Sequence, residues 1–440
     1  MTIREVYADI TIENLVSTKE TSGGAAGNKA NKEEEFRDLA FGMFIHWSLD
    51  SVMGSTVSHW MCGAEERLID QFIEDKPKEF NPKYFDADDI ADLARQAGMK
   101  YMCFTTKHHN GFCMYDTHTT DFNIMNTPFQ RDITKEIVEA FRRKSIVPGF
   151  YFSPFDFLWN YKKGHEMHFA TPEVLPKNNP ELMEYNQAQL RELLTNYGDI
   201  GLVFFDGPPE GLKEMVWDIQ PECLVTRGEM QTPENNNPTE PMDFAWEACY
   251  FMGDSWGYKP YKDNYRSPME LIELLIKTRA MGGNLLLNVA PDSKGRIPKE
   301  QEEILREIGL FLFFNQEAIY KVRPWKVLNE GNIWYLKAKD ENTVYAFVLG
   351  EAWNHGCDFK TKMENWKHIT IKGVRATEAS QIELVGQTGR VLEHRPDINP
   401  KAKWDQDENG LHIQAMLTYR PYDNRQWPYP VAIRITNVEM

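Results

Sequence analysis

Ile200–Pro209, "IGLVFFDGPP", decides how the rest of the chain is read. Its first six residues form a near-continuous apolar run, of the kind a strand shows when both of its faces are covered. It breaks off at a carboxylate, Asp206, followed by Gly207, which admits a ligand close to the backbone, and by two prolines that stiffen the exit. Similar runs occur on both sides: "FGMFIHW", "YMCFTT", "VPGFYFS", "ECLVTR", "FAWEACYF" and "NLLLNVA". Amphipathic helical stretches separate several of them. "DADDIADLARQAG" opens on acidic residues and closes on Gly, and "DITKEIVEAFRRKS", "PELMEYNQAQLRELLTNYG" and "SPMELIELLIKTRAMGG" share its period. Buried strands alternating with helices predict a parallel sheet covered by helices.

Seven such strands within about 290 residues favour an irregular (β/α)8-like barrel over a doubly wound sheet. No GxGxxG follows the first strand, and no eighth strand is evident. Beyond "RPW" (Arg323–Trp325) the pattern becomes short alternating strands between Gly, Asn and Asp turns, such as "TVYAFVLG", "HITIKGV" and "VAIRITNV". These predict an antiparallel β-sandwich. The expected organisation is a flexible lead-in over 1–35, Gly-rich and then charged, a barrel over 36–325 and a sandwich over 326–440.

The bulk properties bound the function. A chain of 440 residues exceeds one typical core, and its 42% hydrophobic and 26% charged residues are those of a globular protein. A formal charge of -17 argues against nucleic acid as a partner, because phosphate backbones demand clustered Lys and Arg. The six cysteines lack paired spacing and read as buried thiols. No apolar run approaches about 20 residues, so no membrane span is expected. The N-terminal stretch has no apolar signal region, which predicts a cytoplasmic protein, or a secreted or periplasmic one if a leader has been trimmed.

In barrels, chemistry sits where strands end. Reading those positions yields His46, His108, His109, Tyr151, Asp206, Arg227 and Glu247, with Glu234 in a loop after Arg227. Asp206 reads as a nucleophile or base. Glu234, in "TRGEMQTPENNN", and Glu247, in "FAWEACYF", compete to be its partner, and residue chemistry does not separate them. Burial among apolar neighbours would raise the pKa of Glu247, which suits a general acid and equally suits a structural carboxyl. Adjacent histidines on an extended chain point to opposite sides, and no HExxH or third ligand stands nearby, so no metal or other cofactor is expected. Ser-His-Asp chemistry lacks a GxSxG elbow.

Six stretches carry a resemblance: "FGMFIHWSLDSV", "ARQAGMKYMCFTTKHHNGFCMYDT", "RDITKEIVEAFRRKSIVPGFYFSPFDF", "QLRELLTNYGDIGLVFFDG", "WEACYFMGDSWGY" and "GGNLLLNVAPDSKGRIP". In this order, from about residue 36 to 325, the chain resembles the α-L-fucosidases of glycoside hydrolase family 29. The resemblance implies a retaining glycosidase acting on a fucosylated oligosaccharide or glycoconjugate, with Asp206 as nucleophile and Glu234, or alternatively Glu247, as acid/base. It further implies that His46, Trp60, His108, His109, Tyr151 and Arg227 bind substrate, and an aromatic wall, Phe205 or Trp256, is expected to pack on the C5 methyl of a 6-deoxy sugar. Three positions depart from the family pattern. Ser48 replaces a usual Gly, Phe205 replaces a Trp before the nucleophile, and His59-Trp60 stands for a Glu-Trp pair. These departures leave open a related L-sugar such as L-galactose, or a non-catalytic sugar-binding relative.

Overall fold

The computed structural model describes residues 27–439 apart from 56, 170, 239, 359, 423 and 424. Residues 1–26, most of the expected lead-in, lie outside the described residues. The end of that segment is not a linker, because Ala30–Leu39 is a helix that buries Phe36.

The chain forms two compact units: 1–237 with 245–266 and 285–306, and 238–244 with 267–284 and 307–440. The first holds the expected curled sheet, of seven strands: β1 Phe41–Ile45, β2 Tyr101–Lys107, β3 Gly149–Phe152, β4 Leu202–Phe205, β5 Leu224–Val225, β6 Glu247–Phe251 and β7 Asn284–Val289. Their order is β5-β4-β3-β2-β1-β7-β6. The pairs β1–β2, β2–β3, β3–β4, β4–β5 and β1–β7 are parallel. Among the described residues there is no regular eighth strand between β5 and β6. Isolated bridges from Gln231 to Trp246 and from Glu234 to Cys249 span that gap.

Register sorts the side chains into two sets. Phe44, Tyr101, Cys103, Tyr151, Leu202, Phe204, Leu224, Cys249 and Leu286 fall into one buried cluster inside the sheet. Since side chains alternate along a strand, the inward set continues to His46, Asp206 and Asn288 at the upper ends of β1, β4 and β7. Apolar rings thus fill the barrel and polar tips crown it. The same alternation turns Phe205 outward beside Phe152, with ring centroids 6.3 Å apart, so it cannot wall a pocket above Asp206. Glu247 is inward but opens β6 rather than closing it. Its layer is that of Tyr101, the first residue of β2, which corrects the reading of Glu247 as a strand-end residue at the mouth.

The second unit contains a five-stranded antiparallel sheet, a three-stranded one and a two-stranded ribbon. Its first strand, Val322–Glu330, begins before residue 326, so that expected boundary cuts through a strand. The cause is Pro324, which reads as a breaker but sits on the sheet edge, where the missing N–H costs no ladder bond. The helix Pro268–Ala280, expected to cover the barrel, also groups with this unit. It starts on a capping box formed by Ser267 and Glu270. No described helix is long and apolar enough to cross a membrane.

Candidate active site

The chain leaves β2 at Lys107 and turns at once. Gly111 adopts φ +80°, a conformation that only glycine takes freely, and its N–H closes on the His108 carbonyl at 3.0 Å. A Cβ at Gly111 would also collide with the Asp156 carboxylate. This turn resolves the problem of adjacent histidines on opposite sides: the rings of His108 and His109 pack edge to face 4.4 Å apart, both buried.

Their hydrogen bonds fix the tautomers. His108 Nδ1 accepts from the His109 backbone N–H at 2.9 Å and lies 2.9 Å from Ser58 Oγ. The Ser58 oxygen itself accepts the Asn110 N–H, which frees its proton for His108. The His108 proton is therefore on Nε2, and the ring is a donor toward ligand. His109 is the reverse. Ser153 donates to the Phe155 carbonyl, so His109 Nδ1 is the donor to Ser153, 2.5 Å away, and Nε2 keeps its lone pair. In the same way Asn288 donates through its amide to the Trp256 carbonyl and accepts from His46 Nδ1 at 2.6 Å, so His46 Nε2 is an acceptor. Burial pushes His46 and His109 down to about 4, and His108 well below its ordinary value. At neutral pH the three rings form an uncharged floor of one donor and two acceptors, matched to hydroxyl groups rather than to an ion.

Asp206 stands over this floor. Its Oδ2 accepts the Tyr151 hydroxyl at 2.6 Å and lies 3.4 Å from His109 Nε2, while Oδ1 lies 3.4 Å from Arg227 Nη1. Burial opposes ionisation, but the Arg227 charge and the Tyr151 hydroxyl outweigh it and hold the carboxyl below its ordinary value. Its side chain remains 24% exposed. The result is an ionised and reachable carboxylate. Tyr151 is kept in place by stacking on Phe204 and His108, at 5.6 and 5.1 Å.

Arg227 joins the two carboxylates. The same Nη1 that faces Asp206 donates to Glu234 Oε2 at 3.1 Å, and Nη2 donates to that oxygen at 3.2 Å. Glu234 Oε1 accepts the Trp256 indole N–H at 3.0 Å. Since one nitrogen touches both carboxylates, at 3.4 and 3.1 Å, their nearest oxygens are at most about 6.5 Å apart. The spacing of about 5–5.5 Å required for retention lies inside this bound, and the inverting range of about 6.5–9.5 Å begins at its limit.

Among the expected residues, the structure gathers His46, His108, His109, Tyr151, Asp206, Arg227, Glu234 and Trp256. It does not bring Glu247 or Trp60 to them. Glu247 is fully buried and accepts the Tyr101 hydroxyl at 2.9 Å, above the space left by Gly42, where any Cβ would strike the Tyr101 ring. The Trp60 indole N–H points to Asp50, at 2.8 Å, and its ring packs on Phe72. Asp50 in turn binds the Asn110 amide and the Ser58 N–H, so Trp60 braces the histidine turn from behind. Ser48, in place of the usual Gly, is extended and accepts from Asn110 at 2.9 Å, so this position needs no glycine. His59 is exposed, with its ring 5.9 Å from His109 and 6.2 Å from Phe169. Phe169, which also packs on His109 at 5.2 Å, was not anticipated. Neither were Ser58, Ser153 and Asn288. Asn288 was detectable as an amide on the inward register at the upper end of β7.

His108, His109 and Asp206 offer ligand atoms within 4.8 Å of one another, close enough for a cation. The donor chemistry does not fit one. Coordination through His108 Nε2 would drive its proton onto Nδ1, against the His109 N–H, and Arg227 already supplies positive charge to Asp206.

Burial raises Glu247 to about 7, with Thr226, Tyr101 and Arg227 pulling the other way. An unfolded chain releases this proton near the ordinary 4.5, so its favourable contribution is complete below pH 4.5 and lost as pH rises through 7. Glu247→Gln, which cannot ionise, is therefore expected to melt close to wild type at pH 4.5 and above it at pH 8. The expected gain at pH 8 is on the order of 3 kcal/mol. Thermal melts across this range check it, and a pH-independent difference contradicts it.

An ionised carboxylate and a second carboxylate within about 6.5 Å of it, set over uncharged hydroxyl-binding rings at the mouth of a barrel, define a glycoside hydrolase. The α-L-fucosidase family model matches residues 17–317. The plasma α-L-fucosidase of Rattus norvegicus is 30% identical over 351 residues, covering 71% of this chain and 76% of that protein. The α-L-fucosidase of Dictyostelium discoideum is 29% identical over 364 residues, 71% and 77% of the respective chains. Among solved structures, α-L-fucosidase isoenzyme 1 from Paenibacillus thiaminolyticus superposes with a TM-score of 0.73 at 25% identity, over 94% of this chain and 100% of that one. A family 29 α-L-fucosidase from Bacteroides thetaiotaomicron, trapped as a covalent intermediate with 2-fluoro-fucosyl fluoride, shares the fold with a TM-score of 0.73 at 21% identity, over 98% and 99%. The chain belongs to the α-L-fucosidase family, glycoside hydrolase family 29.

Proposed function

We propose that this glycoside hydrolase removes terminal α-L-fucose from oligosaccharides or glycoconjugates by double displacement, with Asp206 as nucleophile and Glu234 as acid/base. The observation that carries the assignment is the shared Arg227 contact, which helps keep one carboxylate ionised and holds a second within about 6.5 Å, a bound that contains the retaining spacing. In the first step Asp206 attacks the anomeric carbon, the glycosidic C–O bond breaks, and Glu234 delivers its proton to the leaving oxygen. In the second, Glu234 takes a proton from water, whose oxygen attacks the same carbon and releases Asp206. His46, His108 and His109 orient the ring hydroxyls, and Tyr151 steadies Asp206 between steps.

Phe169 and Trp256 supply the apolar surface suited to the C5 methyl of a 6-deoxy sugar. Mixing a nitrophenyl α-L-fucoside with the enzyme is expected to give α-L-fucose as the first-formed anomer by NMR, at rates unchanged by EDTA. An α-L-galactoside should be turned over more slowly, because its hydroxymethyl group replaces that methyl. A β first product, loss of activity with chelator, or preference for the galactoside would each overturn the corresponding part of this reading.

A further inference from the structure

A second concavity opens on the face of the barrel that carries the site. Its walls are the loop after β6, the loop after β7, and the end of the long excursion after β1, where Tyr84 precedes the helix Ala87–Gln96. All three segments follow strand ends, so the cleft and Asp206 share one face. Its volume is about 870 Å³, in the range of small-ligand sites. It is lined by four tyrosines, Tyr84, Tyr258, Tyr261 and Tyr265.

Two of them are left in solvent to an unusual degree, Tyr84 at 61% and Tyr261 at 66%. Exposed aromatic surface collected in one cleft marks a binding surface more often than chance placement. Both rings are held. The Arg296 guanidinium lies 5.0 Å from the Tyr84 ring centre and Lys259 Nζ lies 5.5 Å from that of Tyr261. The cations are themselves neutralised, Arg296 by Asp292 at 3.1 Å and Lys259 by Asp263 at 2.8 Å. Amphipathic ring faces beside paired, fixed hydrogen-bonding groups suit a neutral ligand with an apolar face and a hydroxyl edge, which is the surface of a pyranose.

The walls are also built. Tyr84 N–H donates to the Lys294 carbonyl at 2.9 Å, tying two of the loops together. Asp263 accepts the Asp254 N–H at 3.1 Å and closes the third on itself. That third loop carries Trp256, whose indole holds Glu234. On the reading above, Glu234 protonates the departing oxygen, so the remainder of the substrate leaves on the Trp256 side.

We propose that this tyrosine cleft binds the leaving-group glycan, the neutral oligosaccharide to which the terminal sugar is attached. The inference rests on the assignment of Glu234, and its test separates the two. The variants are Tyr84→Ala and Tyr261→Ala, both outside the catalytic machinery. Hydrolysis of 2′- and 3-fucosyllactose is expected to fall about tenfold in kcat/KM, mainly through KM, while hydrolysis of an aryl α-L-fucoside is unchanged. Equal loss on both substrate types, or no loss on either, overturns the proposal. Independently, the Asp206→Asn protein is titrated with lactose and with N-acetyllactosamine, and binding of at least one is expected and expected to vanish when Tyr261→Ala is added. Binding of neither, or binding that survives the added substitution, overturns it even if the aryl fucoside is not a substrate, an outcome that would instead fail the reading of the catalytic site.

Discussion

Asp206→Ala is expected to lose at least about 10⁴-fold in turnover of an aryl α-L-fucoside, and added azide to restore turnover with β-L-fucosyl azide as product. The size of the loss follows from what surrounds the carboxylate. The Arg227 guanidinium and the Tyr151 hydroxyl converge on its two oxygens, so their placement serves an anion at that point. Removing the carboxylate removes the atom that bonds to the anomeric carbon, and no neighbouring group can replace it: His109 has its ring fixed by Ser153, and Glu234 is turned toward Arg227 and Trp256. Folding is not at risk to the same degree, because the side chain is partly exposed and Arg227 keeps Glu234 as a partner. Azide is a small anion and fits the charge environment that Asp206 vacates. Attacking from the nucleophile's face it inverts the centre, and with no second displacement the β product persists. An α product, or near-normal activity in the variant, would remove Asp206 from this role.

Much of the barrel was legible because its strands are buried on both faces and so read as continuous apolar runs. The inward register was legible too, and it alone sends Phe205 outward and Phe204 inward. What misled was reading position along a run as position along a strand. "FAWEACYF" looks like a strand ending near its glutamate, yet pairing begins at Glu247, because Phe244 to Trp246 belong to the irregular passage where only single bridges connect the sheet. That passage also carries Arg227 and Glu234, and a segment held by isolated bridges has no periodicity to detect. Pro324 misled for the opposite reason, since an edge strand tolerates a proline that a central strand would not.

The histidine pair shows a different limit. Position at a strand end and the family resemblance pointed to substrate binding, but whether each ring donates or accepts depends on Ser58, Ser153 and Asn288, three residues distant in sequence and ordinary in type. A serine at the end of a strand carries no signal until its hydroxyl has a partner. Tautomers are therefore a property of the fold, and with them the pattern of donors and acceptors offered to the sugar.

The choice between Glu234 and Glu247, open on residue chemistry, becomes a sharp experimental contrast. Glu234→Ala is expected to lose about 10³-fold in kcat/KM toward fucosyl oligosaccharides, within the range ascribed to general acid–base catalysis, and far less toward a dinitrophenyl fucoside, whose leaving group needs no proton. Azide should again rescue, now yielding α-L-fucosyl azide, because it intercepts the glycosyl-enzyme and completes a second inversion. Glu247→Gln should keep kcat/KM within a few-fold for both substrates. Its carboxyl sits one layer down against Tyr101, at the start of its strand, with no route to the leaving oxygen, and a glutamine preserves the acceptor that the Tyr101 hydroxyl uses. The raised pKa that makes Glu247 attractive as an acid is a consequence of burial alone. Glu234 has instead what position requires: a side chain 28% exposed, an arginine shared with the nucleophile, and an indole N–H that fixes the second oxygen. If the leaving-group dependence follows Glu247 and spares Glu234, the proton comes from below and the assignment reverses.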